Sequence, residues 1–196
     1  MTASQFLRRF QRASSRRERQ GVAAIEFALY AIVFLIILAG TTDVGNLIFS
    51  EFQLDATVAA GAEFAVVNSG SVNSTGGSTL ASSISAAVNN GHGSGAGWAN
   101  TVVVNNGPTV ATSNGSASSS GTAANADSCY CPTGSPGSWS WGTSKTCGSS
   151  CTGGGIAGRF VSISASRTIT PFFPAWGFVT NGTTLNRYAI VEVADQ

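Results

Sequence analysis

The chain has 196 residues, room for one modest domain and a membrane anchor but hardly for two domains. Only 10% of its residues are charged, against about 25% in an average soluble protein, so solubility rests on hydroxyls and amides. The net charge of +1 conceals an asymmetry. Arg8, Arg9, Arg12, Arg16, Arg17 and Arg19 crowd the first twenty positions, while from Val22 onward four bases face eight acids, which excludes a basic nucleic-acid surface beyond the leader.

After this basic leader (residues 1–21) comes an apolar run, Val22 to Thr42, with one charge, Glu26, and the core AIVFLIIL from Ala31 to Leu38. A helix needs about 20 apolar residues to cross the hydrocarbon layer, and arginines on the N-terminal side alone predict a cytoplasmic N-terminus. A cleaved secretory signal is the alternative, but its apolar region would be unusually long and would contain a carboxylate. Ser15-Arg16-Arg17 does not make a twin-arginine signal, because Glu18 and Arg19 follow it.

Glu26 is the informative residue. A carboxylate inside a membrane helix costs about 2.5–3.5 kcal/mol on insertion scales, so its presence calls for a function. Gly21 closes the leader, Glu26 is the fifth residue after it, and Phe27 follows. Cutting after Gly21 would create an amino group on Val22, four positions from Glu26 and on the same helix face. The carboxylate could then meet the amine of its own chain or of a neighbour.

The stretch Gly21-Val22-Ala23-Ala24-Ile25-Glu26-Phe27-Ala28-Leu29, the apolar run, then Gly40, Gly45 and Ala60-Gly61-Ala62 together resemble the TadE-like minor pseudopilins of tight-adherence (Flp) type IV pilus systems. The resemblance covers about Arg16 to Val67. It implies processing between Gly21 and Val22 by a membrane prepilin peptidase, with Glu26 and Phe27 in the recognised stretch. It also implies partnership with other pilus and pseudopilin subunits in the assembly or function of an adhesive pilus. Two positions depart from the family's habit: Ala31-Ile32 where a proline is frequent, and Glu63 where a basic residue often stands.

Helical spacing continues past the span. Phe49, Phe52, Ala56, Ala59, Ala60, Phe64 and Val67 form one face, and Asp43, Asn46, Ser50, Gln53 and Thr57 another. This predicts an amphipathic extension over residues 43–67 whose apolar face is the spine of the domain core, with a filament contact as the alternative. Residues 68–196 then form an extracytoplasmic domain. Leu80, Ile84, Ala87 and Val88, opened by Ser78-Thr79 and closed by Asn90-Gly91, predict a short helix. Trp98 to Val104 predicts a strand, and Phe160–Ser166 with Leu185–Val193 an antiparallel pair linked by a segment in which Pro171 and Pro174 bracket Phe172-Phe173. The expected class is α+β, pilin-like: a long N-terminal helix on a small antiparallel sheet, with long Ser/Gly-rich loops.

All four cysteines lie in one cluster, Cys129, Cys131, Cys147 and Cys151. Outside the cytoplasm such a cluster favours two disulfides over a zinc site, for which Cys-x-Cys is a poor spacing. Of the three connectivities, a nested pair, Cys129–Cys151 with Cys131–Cys147, is preferred. Between them Trp139 and Trp141 alternate with serines, so an extended segment puts both rings on one face, either capping the disulfides or contacting a partner. His92, the sole histidine, sits in a Gly-rich stretch, expected to be exposed and without a triad partner, and no nucleophile elbow or phosphate loop is present. No cofactor and no catalysis are expected. The reading is a subunit of the bacterial inner membrane, single-pass, able to enter the surface pilus. The rivals are an envelope enzyme or sensor with an uncleaved signal anchor, and a glycan-binding adhesin.

Overall fold

The computed structural model describes residues 3–92 and 96–193, with side chains over 22–91 and 96–193, so the leader arginines and the His92 side chain lie outside the described side chains. The class is α+β. Helix α1 covers Ala3–Val67 and α2 Gly77–His92, which places His92 at a helix end. Among the described residues seven strands follow: β1 Trp98–Val104, β2 Thr109–Ser113, β3 Ser116–Ser120, β4 Thr133–Ser135, β5 Ser138–Ser140, β6 Arg159–Ile169 and β7 Thr183–Val193. Two compact units result, one of Met1–Gly45 with Phe172–Val179, the other of Asn46–Pro171 with Thr180–Gln196.

In the first unit the large apolar side chains from Val22 to Leu38 are exposed around the helix, as suits a lipid environment rather than a protein core. It belongs to the one helix, among the described residues, long and apolar enough to cross a membrane. At its far end the hydroxyls of Thr41 and Thr42 donate to the Leu38 carbonyl at 2.9 and 2.8 Å, which removes two polar groups from the surface of the run.

In the second unit a five-stranded antiparallel sheet, in the order β3-β2-β1-β6-β7, carries the core on one face. The register explains it. Val102 stands opposite Val110 and Ile163, and Asn100 opposite Thr112 and Ala165, so alternate positions of three strands bury together. Helix α2 adds Leu80, Ile84 and Val88 to that layer. Ile84 and Ile163 are fully buried, each stabilising the fold by about 1.5–3 kcal/mol. Polar groups among them are satisfied. Ser85 donates to Asn100 at 2.8 Å, which leaves its oxygen to accept from Thr112 at 2.9 Å, and Asn100 donates to Asn89 at 2.7 Å.

The expected orientation of the α1 extension is reversed. Phe49 and Phe52 are 61% and 68% exposed, and Ala56, Ala59, Ala60 and Val67 face outward with them. The buried ridge is Ser50, Leu54, Thr57, Val58, Gly61 and Ala65. The cause is close packing: small residues bring the helix axis near the sheet, where phenylalanines would hold it off. The polar members of the ridge find partners: Thr57 donates to the Leu54 carbonyl at 3.0 Å, and Arg167 donates to Ser50 at 2.6 Å, and to neighbouring Gln53 at 3.3 Å, while lying 4.5 Å from the Trp98 ring centroid. Burial lowers the pKa of Arg167, which starts so high that the charge persists.

Gly61 shows how tight the seam is. A methyl group there would stand 3.0 Å from Val88 and 3.2 Å from Ile163. Gly61→Leu is therefore expected to destabilise by about 1–3 kcal/mol even after the gain in helix propensity. Gly45→Ala, with no atom within 4 Å, should be neutral or stabilising. Denaturant midpoints in detergent check both.

Candidate functional site

Three clusters carry chemistry. The first lies at the start of the apolar run. Val22 and Phe27 are 65% and 74% exposed, Glu26 is exposed, and Gly21 is helical in backbone with its surroundings outside the described residues. Val22 and Glu26 sit one helical turn apart and share a helix face. The ion pairs among the described residues join Arg187 to Glu51 and Asp55, and none reaches Glu26.

A second cluster, with no expectation attached to it beforehand, occupies the other end of the run. Asp43 is 1% exposed. Its carboxylate accepts the backbone N–H of Phe172 at 2.7 Å and of Phe173 at 3.3 Å, across about 130 residues of sequence. The loop so held carries exposed Phe172, Phe173, Trp176 and Phe178. The usable signal in the sequence was an acid directly after a span together with a proline-bracketed aromatic pair elsewhere; nothing local links them.

The third cluster is the cysteine loop. The bridges are Cys129–Cys147 and Cys131–Cys151, so the preferred nested pairing is corrected to a crossed one. The register accounts for it. Cys129 pairs with Lys145 in an antiparallel bridge, which sets Cys147 diagonally beside Cys129. The chain then turns through Ser150, which bridges to Ile156, and the remaining pair, Cys131 and Cys151, closes.

Trp139 and Trp141 are half-buried and line one groove of about 540 Å³ with Cys131, Ile156, Phe160 and Ile190. Trp141 meets buried Tyr130 edge to face at 6.0 Å, so its ring belongs to the cap over the disulfides. The Trp139 indole N–H is buried without an acceptor among the described residues. Among the described residues no group of three or more His, Cys, Asp or Glu could hold a metal. Gly21, Val22, Glu26 and Phe27 belong to the first unit and the cysteine–tryptophan cluster to the second.

Residues 21–67 match the model of the family described as TadE-like protein. No curated protein and no solved structure matches the chain.

Proposed function

From this TadE-like segment, which links the chain to tight-adherence pili, we propose that it is a minor pilin-like subunit, processed by a prepilin peptidase and working through surfaces rather than catalysis. Residues 1–21 are the cytoplasmic leader, 22–42 the span, 43–67 its helical extension and the remainder an extracytoplasmic domain. The observation that carries the reading is the Gly21–Glu26 spacing at the head of an apolar helix whose large side chains are exposed from Val22 to Leu38. Exposure of Phe49, Phe52 and Phe64 supports it: the outward stripe is available to other pilus subunits once the core has been closed by the opposite face.

Intact-mass measurement tests the processing step. Chain from cells with active prepilin peptidase is expected to begin at Val22, and Gly21→Leu to remain full length, because a bulky side chain fits poorly where a protease grips a thin, extended backbone. Full-length chain alone in the active cells would favour the uncleaved-anchor rival.

A further inference from the structure

We infer that the loop Phe172–Val179 is a second membrane-contacting element, an aromatic wedge seated in the outer leaflet beside the span; this rests on the reading that α1 crosses the bilayer. Trp176 and Phe178 share an apolar cleft with Ile32, Leu35 and Ile36. The Phe178 ring also lies against Gly40, where a methyl group would stand 3.2 Å from it. If Val22 to Thr42 fills the hydrocarbon, Ile36 lies about 9 Å inside the outer boundary. Rings packed on that stretch of helix are then at the bilayer by geometry, and lipid is the medium around their exposed faces.

The loop's chemistry fits that depth. No charged residue occurs between Arg167 and Arg187. Trp favours the membrane–water interface, and Phe is apolar enough to enter the hydrocarbon. The difficulty for any loop there is its backbone, since an unsatisfied N–H costs several kcal/mol in hydrocarbon. Here the entry to the loop, residues 171–174, leaves no amide unsatisfied. Pro171 and Pro174 have no N–H, and Phe172 and Phe173 donate theirs to Asp43. Trp176 donates to the Phe173 carbonyl at 3.1 Å. Asp43 is thereby the positioning residue: a buried carboxylate satisfied by two amides rather than by a cation, fastening the wedge to the helix that crosses beside it. The rings pack on one another as well, Trp176 lying 5.9 Å from Phe173 and 6.4 Å from Phe178.

Tryptophan emission of the full chain in vesicles of phosphatidylcholine brominated on its acyl chains tests this. The native chain should show a bromolipid-quenched component that is lost in Trp176→Phe. Tyr30→Trp in the Trp176→Phe background should restore a quenched component, because residue 30 lies within the span. Quenching restored by Tyr30→Trp without any component owed to Trp176 overturns the wedge while leaving the span intact. In that case access of aqueous acrylamide to Trp176 would place the loop in water, and shielding from both quenchers would mean a second copy or another subunit covers it. No quenching of Tyr30→Trp would show that the span reading itself had failed, and the wedge with it.

Discussion

Glu26→Ala is expected to be cut, to remain in the membrane and to fail to join other pilus subunits. The apolar side chains from Val22 to Leu38 already suffice for insertion, and removing the acid should ease it, by about 2.5–3.5 kcal/mol at most on insertion scales. An acid retained against that cost must offset it through an interaction that forms later. In the single chain Glu26 is exposed and meets no cation among the described side chains. The amine released on Val22, of its own chain or of a neighbour, is the partner that processing would supply. Glu26→Gln should fail in the same way, because an amide can accept a hydrogen bond but cannot neutralise an ammonium. The measurement compares yield of mature chain with co-purification of pilus subunits and with surface adhesion. Normal piliation by a normally cut Glu26→Ala chain would leave the carboxylate without this role.

Opening the two bridges should have the largest effect on stability, about 2–4 kcal/mol for each. They close sequence separations of 18 and 20 residues. The region they staple has little else: β4 and β5 are three residues each, paired only with each other, and largely exposed. Cys129 and Tyr130 are its buried anchor. Reduction, or the double replacement Cys129→Ala with Cys147→Ala, should therefore render residues 131–156 sensitive to protease before the five-stranded sheet is lost. Thiol labelling of the unreduced, denatured chain should find no free cysteine. An unchanged unfolding midpoint on reduction, or four reactive thiols with one bound zinc, would contradict the expectation.

Local signals mark some strands of the sheet more plainly than others. Trp98–Val104 and the pair formed by β6 and β7 stand out through β-branched and alternating residues. The β2–β3 hairpin, expected only as loop, is made of Thr, Ser and Ala, yet its turn is Asn114-Gly115 with both φ positive, 49° and 82°. Asn-Gly is the strongest short-range hairpin signal there is, and it was legible without the fold. Asn105 was not. It sits fully buried at φ 50°, donating to the Ala126 and Ser128 carbonyls and accepting from the Phe160 amide, partners that lie far along the chain.

The sequence by itself determined the apolar run with the arginines before it, the Gly21–Glu26 spacing, the end of α1 at Val67 and the amphipathic α2. Each depends on residues within a few turns of one another. Even the α1 terminus is local, since Asn68 returns its side-chain and backbone N–H to the Phe64 carbonyl. Tertiary structure decided the rest. Both faces of α1 offered a helical stripe, and the sheet accepted the one with Ser50, Thr57 and Gly61 because small residues allow the closer approach. The cysteine pairing followed a strand register that spacing does not encode. The meeting of Asp43 with Phe172 and Phe173 depends on where two distant segments come to lie, and no periodicity in either one announces it.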